Sequence, residues 1–567
     1  MCIRDRENEA SVVQFQKVVG TRYVLTGERN TERFRKGYRS GFGEAICVIK
    51  PGTLLELWQV LKICVASDLV VIMQAANTGL TEGSTPNGHY DRGAVIISTL
   101  RIDTIHLLDN GKQVVCMPGS TLYDLENQLR PYGRQPHSVL GSSCIGASVI
   151  GGVCNNSGGS LVERGPSYTE LSVFAQITEN GELQLVNNIG LELGSDPETI
   201  LKSLDTTDLS SVNQQQTDKK ASDNEYSKIV RDVDADTPAR YNADQRCLHE
   251  ASGCAGKLVV FAARLDTYPK NESEKVFYIG TNHLEDLTEI RRTILSEFNT
   301  LPVSGEYMHR DIIDITEKYG KDTVLMINMF GTQRLPTFFA LKNAIDTRLN
   351  KIKIFSNITD KLLQQLAKLW PNILPNQLRE YQNKYEHHLI LKMHDEGIDE
   401  ANKFLDHFFS DRTGDYFPCS ENEGKIAELN RFAAAGAAIR YQKLYSKDVE
   451  DILALDFALR RNDRDWFEVL PADIDEKLIH KLYYGHFFCH VMHHDYVVKK
   501  GVDIETIKSE MLEILDERGA EYPAEHNVGH LYAAKPNLAD FYKSIDPTNS
   551  LNPGIGKLSK SKHYADT

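Results

Sequence analysis

The sequence predicts an α+β protein built from two to four domains. From Ile46 onwards, strand and helix patterns alternate, and the apolar run from Leu69 to Met73 is typical of a buried strand. After Arg264 the pattern becomes a strand-then-helix unit that occurs three times, which predicts an antiparallel sheet with helices packed on one face. The 567 residues, 41% hydrophobic and 25% charged, are enough for more than one packed core.

The first part of the chain opens with a clear helix signal. The turn Pro51-Gly52 precedes Thr53, and Thr53 with Glu56 predicts a capping box for the helix "LLELWQVLKICVA". The strand "LVVIM" then leads into the small-residue loop "QAANTGLTEGSTPNG", and "AVIIS", "QVVCM" and "STLYDLENQL" continue the pattern. The polar stretch 203–228 lacks apolar periodicity and is predicted to be an exposed excursion.

The second part of the chain repeats a strand and a helix. The units are "KVFYIG" with "LEDLTEIRRTIL", "HHLILKM" with "GIDEANKFLDHFF", and "LYYGHFFCHVM" with "IETIKSEMLEIL". The last predicted strand and the residues just after it hold four of the eighteen histidines, His486, His490, His493 and His494. Three interpretations stay open: a zinc site, a proton-handling site beside an organic cofactor, or a core strand that happens to contain imidazoles.

A segment between the first two units, roughly residues 309–385, differs in charge from the rest of the chain. It contains twelve Lys and Arg against seven Asp and Glu, a balance of +5 in a chain whose net charge is −15. Two interpretations fit this segment. It is either a helical subdomain with a solvated basic face, or a peripheral membrane patch in which Phe338, Phe339 and Trp370 enter the lipid interface.

Charge and cysteine content exclude several classes of protein. A net charge of −15 argues against a general nucleic-acid binder, which needs a basic face for phosphate. The ten cysteines form no C-x-x-C pair, so free thiols in a reducing cytoplasm fit better than a zinc ribbon or a disulfide framework. There is no run of about eighteen apolar residues and no signal-peptide core, so we expect a chain that is neither membrane-spanning nor secreted.

Loops rich in small residues are the main candidates for ligand binding. Residues 75–84 follow a buried strand, and successive N–H groups in such a loop form a nest suited to a pyrophosphate. Residues 141–159 and the run "SGCAGKLVVFAARL" have the same character, with tight turns as the alternative. A Rossmann site and a P-loop are not supported, because "GFGEAI" lacks the last glycine and "NPGIGKLSK" lacks the Walker spacing.

The order of these segments resembles a known family. The runs "IKPGTLLELWQVLKIC", "QAANTGLTEGS", "VIISTLRID", "VVCMPGSTLYDLENQL" and "IGASVIGGVCNNSGG" are similar to the FAD domain of the vanillyl-alcohol-oxidase or PCMH type. From about Val19 to Lys557, including "GEYMHRDIIDI", "RFAAAGAAIRYQ", "DILALDFALRRND", "PAEHNVGHLY" and "DPTNSLNPGIGK", the chain resembles the respiratory, quinone-dependent D-lactate dehydrogenases.

The resemblance implies three structural parts. We expect a two-part PCMH-type FAD-binding domain in residues 1–266 and 516–567, with the "NPGIGK" segment returning to it. A ferredoxin-like α/β cap domain is expected in 267–308, 386–423 and 448–515, and a basic, mainly helical membrane-binding insertion in 309–385 and 424–447. The implied FAD is non-covalent, and its expected contacts are Ala75, Ala76, Asn77, Thr78, Gly79, Gly83, Ser84, Gly141, Ser148, Gly158 and Val260.

The activity that the resemblance implies is oxidation of D-lactate to pyruvate, with electron transfer to membrane ubiquinone or menaquinone. The expected partners are D-lactate, the quinone and an anionic phospholipid surface, with no nucleic acid. We expect a peripheral protein on the cytoplasmic side of the inner (plasma) membrane. Two alternatives stay open: a flavin dehydrogenase of another D-2-hydroxy acid, such as 2-hydroxyglutarate, and a non-catalytic membrane-attached flavoprotein.

Oxidation of a 2-hydroxy acid needs a cation for the carboxylate and a base for the hydroxyl proton. Arg431 and Arg440 flank a run of Ala and Gly that would let a small acid approach, and a planar guanidinium group pairs with both carboxylate oxygens. Ordinary helix-surface charge is the alternative for both. Histidine accepts a proton near neutral pH, so "AEHNVGH" supplies candidates in Glu525, His526 and His530.

In the wider family of flavin 2-hydroxy-acid dehydrogenases, a motif similar to Glu525-His526 carries the active-site histidine. Two histidines seven residues apart join the Glu there around a divalent metal, and they match His486 and His493. Here apolar residues separate the two histidines, and on one ideal strand residues seven apart face opposite sides. The resemblance therefore implies catalytic roles for Glu525, His526, His486 and His493; no metal ligand is committed, and His490 and His494 are expected to be structural or surface residues.

Overall fold

The computed structural model describes residues 3–137, 146–330, 358–367, 370 and 372–565. The first sheet has four strands in the order β1-β2-β4-β3, and β2, β4 and β3 run parallel. Its elements are α1 (Ile3–Val19), β1 (Val24–Leu25), α2 (Glu28–Arg35), β2 (Cys47–Ile49), α3 (Leu54–Ala66), β3 (Val70–Gln74) and β4 (Ala94–Ser98).

The predicted helix cap is confirmed at α3. Thr53 Oγ1 accepts a hydrogen bond from the N–H of Glu56 at 3.1 Å. The Glu56 carboxylate accepts a hydrogen bond from the N–H of Gly52 at 2.6 Å, and not from the N–H of Thr53 as in a standard capping box. The donor is therefore the residue that precedes the N-cap.

The second sheet is antiparallel, with strand order β5-β6-β10-β8-β9, and a two-stranded ribbon of β7 and β11 lies beside it. Trp58 of α3 packs edge-on against Phe261 of the second sheet, within a core that both sheets share. The elements are β5 (Ile105–Leu108), β6 (Gln113–Cys116), α4 (Leu122–Leu129), β7 (Arg134–Gln135), α5 (Val149–Cys154), β8 (Ser172–Ile177), β9 (Leu183–Asn187), α6 (Pro197–Thr206), α7 (Tyr226–Arg231), β10 (Val259–Asp266) and β11 (Tyr268–Pro269).

The third sheet has seven antiparallel strands in the order β15-β12-β14-β13-β17-β18-β16. Its first four strands with two helices follow the β-α-β-β-α-β order of a ferredoxin-like fold. The elements are β12 (Glu274–Thr281), α8 (Leu284–Glu297), β13 (Ser304–His309), α9 (Arg310–Tyr319), α10 (Lys321–Phe330), α11 (Ile358–Ala367), α12 (Asn376–Lys384), β14 (His387–His394), α13 (Glu396–Phe408), β15 (Asp415–Pro418), α14 (Glu421–Leu444), β16 (Val449–Ala458), α15 (Ala472–Asp475), β17 (Leu478–His486), β18 (Val491–Lys499) and α16 (Ile504–Glu517).

Helices cover both faces of this sheet, so the prediction of helices on one face is wrong. On one face, Phe277 and Leu391 share a core with α8, α13 and α16. On the other face, Tyr278 and Ile390 share a core with α9, α12 and α14. Strands buried on both faces have continuous apolar runs, as "HHLILKM" shows, and such runs do not reveal how many faces are covered.

The histidine-rich segment is a hairpin and not one strand. β17 ends at His486, residues 487–489 form a buried turn, and His490 takes a left-handed backbone with φ 52° before β18 begins. His486 pairs with Val491 and Tyr484 pairs with His493. The opposite facing expected of residues seven apart on one ideal strand does not apply here, because the turn places His486 and His493 diagonally on one face of two neighbouring strands.

The end of the chain returns to the first sheet, as predicted. After α17 (Pro536–Ile545), Leu551 forms a parallel bridge with Val71 of β3, and the N–H of Asn552 donates to the Val71 carbonyl at 2.9 Å. None of the helices in the described ranges has the length and apolarity needed to cross a bilayer.

Candidate active site

Glu525 lies where the segment before α17 meets the hairpin of β17 and β18. Its Oε2 is 3.2 Å from His486 Nε2 and 3.5 Å from His493 Nε2. The three ligand atoms lie within 4.8 Å of one another, and the Glu525 side chain is buried. Among the predicted catalytic residues, the fold thus brings Glu525, His486 and His493 into one cluster.

Two further carboxylates hold the outer nitrogens of these imidazoles. His486 Nδ1 lies 2.6 Å from Glu306 Oε1, and His493 Nδ1 lies 3.3 Å from Asp456 Oδ1. Both carboxylates are buried, and each fixes the rotation of its ring and leaves Nε2 directed at Glu525. Sequence reasoning did not identify them, although both stand in segments that carry the family resemblance, "GEYMHRDIIDI" and "DILALDFALRRND".

The other oxygen of Glu525 connects the cluster to the second small-residue loop. Glu525 Oε1 accepts hydrogen bonds from Arg240 Nη2 and, at 3.2 Å, from the N–H of Gly159. A Cβ at Gly158 would lie 2.7 Å from Oε1 and 3.2 Å from Arg240 Cζ, so glycine there permits the close approach. Arg240 is fully buried and was not predicted as a site residue.

The charges of the cluster set its protonation. Burial alone would raise the pKa of Glu525, but the charges of His486 and Arg240 hold it well below its usual range. Burial alone would lower the pKa of His486, but Glu306 and Glu525 raise it to about 9. The pKa of His493 is also raised, against burial, by hydrogen bonds with Asp456 and Glu525. His486 therefore carries two ring protons at neutral pH when no metal displaces one, and the contacts of His493 with Asp456 and Glu525 favour its charged form.

The same atoms fit a divalent metal. Ligands about 2.0–2.1 Å from a tetrahedral zinc are about 3.3–3.4 Å apart, close to the separations of Glu525 Oε2 from the two Nε2 atoms. Carboxylates on the outer nitrogens are the usual companions of metal-bound histidines. The donor set of two imidazoles and one carboxylate leaves a fourth position for substrate or water.

His526 lies beside this cluster and not in it. Its ring centroid is 6.5 Å from that of His493, and its Nε2 is 3.9 Å from Asp456 Oδ2. The side chain is 34% exposed, whereas those of His486 and His493 are 12% and 17% exposed. His526 is thus the most exposed imidazole of this group.

The two predicted arginines have different surroundings. Arg431 Nε is 2.8 Å from Glu306 Oε2, and its guanidinium group stacks on the Tyr484 ring at 4.6 Å, so it borders the cluster. Arg440 lies nine residues later on α14 and pairs with the buried Asp322 of α10 at 2.5 Å. The structure therefore brings Arg431 to the site but not Arg440.

The remaining histidines of the hairpin and of "AEHNVGH" are buried elsewhere. His490 Nδ1 lies 2.9 Å from the Arg460 carbonyl, and His494 Nδ1 lies 3.0 Å from the Tyr496 hydroxyl, which gives both rings structural contacts. His530 Nδ1 lies 3.1 Å from the Gly554 carbonyl, and burial lowers the pKa of His530 to about 4.

The loop after β3 fits a diphosphate group. Asn77 has a left-handed backbone with φ 54°, and its Oδ1 accepts hydrogen bonds from Ser84 Oγ and Thr85 Oγ1, which folds the loop back on itself. No acceptor in the described part of the chain hydrogen-bonds to the N–H groups of residues 77–80, and a Cβ on Gly79 would meet nothing within 4 Å. Unpaired N–H groups at the end of a buried strand suit the pyrophosphate of FAD.

The second loop and the C-terminal segment approach the first loop. Ser148 caps α5, with its Oγ accepting from the N–H of Gly151 at 3.0 Å. Asn552 Nδ2 donates to the carbonyls of Gly83 and Ala255, each at 2.8 Å, and ties two small-residue runs together. Asn552 Oδ1 is buried and, among the described residues, has no partner, so it is available to a ligand.

The structure places the other predicted FAD contacts as follows. Val260 is buried on β10, where it pairs with Phe174. Ala75 and Ala76 directly follow β3 and are half-buried. Gly141 lies outside the described residues.

The described parts of the basic segment expose apolar groups. Leu362 and Leu366 stand one turn apart on α11 and are 62% and 43% exposed. The Trp370 carbonyl accepts a hydrogen bond from Lys321 Nζ at 2.6 Å. Phe338 and Phe339, predicted to enter a lipid interface, lie outside the described residues.

Two family models match the chain. One is described as "D-lactate dehydrogenase, membrane binding" and covers residues 276–564, and the other, "FAD binding domain", covers residues 45–186. The chain is 58% identical over 562 residues to the quinone-dependent D-lactate dehydrogenase of Escherichia coli strain K12, which spans 99% of this chain and 98% of that protein. The Haemophilus influenzae enzyme of the same name is 56% identical over 553 residues, 97% of this chain and 98% of that protein.

Solved structures of the p-cresol methylhydroxylase type share the fold. The 4-ethylphenol oxidase of Gulosibacter chungangensis in complex with isoeugenol has a TM-score of 0.57 at 12% identity, with 98% of each chain covered. p-Cresol methylhydroxylase with substrate bound has a TM-score of 0.57 at 12% identity, with 98% of this chain and 97% of that chain covered. The predicted PCMH-type fold is confirmed.

Proposed function

The chain belongs to the quinone-dependent D-lactate dehydrogenase family, and we propose that Glu525, His486, His493 and His526 form the site where D-lactate is oxidised. The enzyme is FAD-dependent, converts D-lactate to pyruvate and passes the electrons to a membrane quinone. The observation that carries the site assignment is the convergence of the His486, His493 and Glu525 ligand atoms in one buried cluster beside the glycine loop.

The proton chemistry follows from the protonation of the imidazoles. FAD, when bound, supplies the acceptor for the two electrons that leave the lactate Cα. His486, whose pKa is raised to about 9, is protonated in the metal-free enzyme and does not accept the hydroxyl proton; in the metal-bound enzyme the Nε2 atoms of His486 and His493 would be ligands and would not accept it either. His526 accepts it, and Asp456 Oδ2, 3.9 Å from His526 Nε2, stabilises the imidazolium cation that results.

The ligand set of His486, His493 and Glu525 would hold a divalent metal at the substrate hydroxyl. Such a metal, when bound, polarises the hydroxyl group. Arg240 and the N–H of Gly159 hold Glu525 Oε1, and this keeps Oε2 directed at the two histidines. Arg431, beside Glu306, borders the cluster and faces the substrate carboxylate in this proposal.

The FAD site in this proposal joins the two small-residue loops. Residues 77–80 bind the pyrophosphate through their N–H groups, and Ala75, Ala76, Gly83, Ser84, Ser148, Gly158 and Val260 line the rest. Asn552 keeps the loops in register through its bonds to Gly83 and Ala255. The proposed domain bounds remain those predicted from the sequence.

The enzyme binds membranes as a peripheral protein. We propose that the basic segment contacts anionic phospholipid, with Lys361 beside the exposed Leu362 on α11. We also propose that the enzyme lies on the cytoplasmic side of the membrane. All eight cysteines within the described ranges are free thiols, as is usual in a reducing compartment. Protease accessibility in inverted and right-side-out vesicles tests the side.

Anaerobic titration of the flavin tests the proposed function. D-lactate is expected to bleach the flavin absorbance of the wild-type enzyme, and His526→Ala should slow bleaching by about 10²–10⁴-fold. His407→Ala, at an exposed histidine on α13, is the matched control and should bleach like the wild type. Bleaching by 2-hydroxyglutarate but not by D-lactate would point to another 2-hydroxy acid, and no bleaching by either would leave a non-catalytic flavoprotein.

A further inference from the structure

The short segment that carries His526 is anchored on both small-residue loops. At its start, Glu525 Oε1 accepts a hydrogen bond from the N–H of Gly159 in the second loop at 3.2 Å. At its end, the N–H of His530 donates to the Thr81 carbonyl in the loop after β3 at 2.9 Å. His526 lies between these two anchors, with its side chain 34% exposed. The proposed base is therefore held by the same two loops that form the proposed FAD site.

Asn527, the next residue, contacts both loops with one buried side chain. Its Nδ2 donates a hydrogen bond to Asn155 Oδ1 in the second loop. The same Nδ2 would lie 2.5 Å from a Cβ on Gly83, so it packs directly on the loop after β3. Asn527 Oδ1 accepts from the N–H of Gly529, which fixes the turn of its own segment. The amide therefore joins the two loops to the backbone that follows His526.

Asn155 connects this amide to the expected FAD contacts of the second loop. Asn155 Nδ2 donates to the Gly151 carbonyl of α5 at 2.6 Å. Ser148 Oγ caps the same helix by accepting from the N–H of Gly151 at 3.0 Å. Ser148 and Gly83 are both expected FAD contacts, so a shift of either loop reaches Asn527 through a short series of direct contacts.

The segment also fits tightly against the loop after β3. Gly529 has a left-handed backbone with φ 54°, and a Cβ there would overlap the Thr81 carbonyl oxygen. The Gly529 carbonyl accepts a hydrogen bond from the N–H of Gly556 at 2.7 Å, so the C-terminal segment holds it from the other side. Because close-packed groups transmit displacements, a shift of the loop after β3 moves the segment that carries His526.

We propose that Asn527 is a positioning residue that couples FAD binding to the placement of His526. This inference rests on the proposed function, in which His526 accepts the hydroxyl proton. Asparagine suits the position because its amide donates to Asn155 and accepts from Gly529 at the same time, which neither alanine nor an ionised aspartate can do. By reciprocity, a ligand beside His526 strengthens the binding of FAD.

Anaerobic flavin reduction by D-lactate in the FAD-saturated enzyme tests the placement of His526. Asn527→Ala should lower the limiting reduction rate about tenfold to a hundredfold, because a displaced base transfers the proton poorly. The D-lactate concentration for half-maximal rate should change little, since Arg431 is left in place. Asn527→Asp loses the donor to Asn155 and should share the loss of rate.

Two double variants show whether Asn527 acts through these partners. Asn155→Ala should also slow reduction, and Asn155→Ala/Asn527→Ala should be no slower than Asn527→Ala, because the same contact is lost in each. In the His526→Ala background, Asn527→Ala should cause no further loss, because the residue that it positions is absent. Additive losses in either double variant would overturn the proposal.

FAD affinity gives a readout that does not depend on turnover. 2-Hydroxyisobutyrate has no Cα hydrogen and is not oxidised. At saturation it should tighten FAD binding to the wild-type enzyme about fivefold or more, measured by the fluorescence of FAD released over a dilution series. The factor should be clearly smaller in Asn527→Ala. An equal factor in the two proteins, or no tightening in the wild type, contradicts the coupling.

Asn188→Ala is the matched control. It removes a hydrogen bond of 2.7 Å from a half-buried asparagine to Glu250 Oε1, and should match the wild type in reduction rate and in the effect of 2-hydroxyisobutyrate on FAD. If Asn527→Ala does not fold, Asn155→Ala carries both measurements with the Asn527 side chain in place.

Failure of this inference is distinguishable from failure of the proposed function. A slow His526→Ala together with wild-type rates in Asn527→Ala and Asn155→Ala would refute the positioning role alone. Bleaching of His526→Ala at the wild-type rate, or no bleaching of the wild type by D-lactate, would instead refute the proposed function and the inference with it.

Discussion

Glu525 Oε2 lies 3.2 Å from His486 Nε2, and this contact joins the segment before α17 to the end of β17. His486 is held from behind by Glu306, and Glu525 is held from behind by Arg240. Both side chains are therefore held in place before a metal or a substrate binds. Binding of either one then requires little further ordering of these side chains.

Metal binding is the first expectation from this contact. The metal-free enzyme should take up one equivalent of zinc or manganese per chain and release protons from His486 and His493, because their pKa values are raised. Calorimetry in two buffers of different ionisation enthalpy measures the number of metal ions bound and the number of protons released. Glu306→Gln should weaken the affinity about 10–100-fold, since it removes the carboxylate behind one ligand. Unchanged affinity in this variant, or in His486→Asn, would contradict the site.

The two arginines of α14 should separate activity from stability. Arg440→Ala leaves the buried Asp322 without its partner, so we expect a loss of about 3–5 kcal/mol in the free energy of unfolding. The folded enzyme should keep its rate of flavin reduction, because Arg440 does not border the cluster. Arg431→Ala should do the opposite and lower the kcat/KM for D-lactate about tenfold or more. Denaturant unfolding and stopped-flow absorbance give the two quantities.

The contrast between these arginines shows where sequence reasoning was sufficient and where it was not. Spacing and a small-residue run identified both, but only the packing of α14 against α10 directs Arg440 to Asp322. The position of the small-residue loop after β3 and the return of the C-terminal segment were predictable, because the order of strands, loops and motifs can be read along the chain. Glu306 and Asp456 were not, because strand pairing brings them to the histidines, and Arg240 was not, because it meets Glu525 across 285 residues of the chain.

The hairpin illustrates the same limit. The side-chain period of two applies within a single strand. Residues 487–492, "FFCHVM", which separate His486 from His493, include none of the Gly, Pro, Asn or Asp residues that commonly mark a turn. The turn forms because Phe487, Phe488 and Cys489 are all buried in the core, so tertiary packing overrides the local pattern.

Acid sensitivity should arise from histidines that are buried without charge. Burial lowers the pKa of His388 to about 3 and that of His137 to about 4, against an ordinary value of 6.5. A lowered folded-state pKa stabilises the fold above pH 6.5, and this stability is lost as the pH falls toward 4, because only the unfolded chain takes up the proton. Each such histidine contributes a slope of about 1.4 kcal/mol per pH unit in that window.

His388→Leu tests this slope. Between pH 6.5 and 4 the free energy of unfolding of the variant should fall less steeply with decreasing pH than that of the wild type. The difference in slope should correspond to the uptake of about one proton on unfolding. Urea unfolding at four pH values measures it. His407→Gln, at an exposed position, should leave the slope unchanged, and an unchanged slope in His388→Leu would show that His388 is not the group concerned.

FAD retention should depend on Asn552. Its Nδ2 holds the carbonyls of Gly83 and Ala255, so Asn552→Ala removes two hydrogen bonds and loosens both loops. With about 1 kcal/mol for each bond, the FAD dissociation constant should rise roughly tenfold to thirtyfold. Flavin fluorescence after dilution measures release. Asn30→Ala removes a single exposed bond to the Thr26 carbonyl and should not change retention.

Membrane attachment should depend on the exposed face of α11. Leu362 and Leu366 are 62% and 43% exposed one helical turn apart, next to the exposed Lys361, an arrangement that suits insertion at an anionic lipid surface. The double variant Leu362→Gln/Leu366→Gln should bind vesicles that contain anionic lipid several-fold more weakly, while D-lactate still bleaches its flavin. Sedimentation with the vesicles measures the bound fraction.

A matched control distinguishes this face from any exposed apolar group. Val469 is 87% exposed and lies before β17 in a loop between β16 and α15, so Val469→Gln should pellet with vesicles like the wild type. Vesicle binding of the wild type should also fall as the salt concentration is raised from about 0.05 to about 0.5 M. Salt screens the attraction between lysine and anionic lipid beyond about one Debye length. Equal pelleting of the double variant and the wild type at both salt concentrations would exclude α11 from the contact.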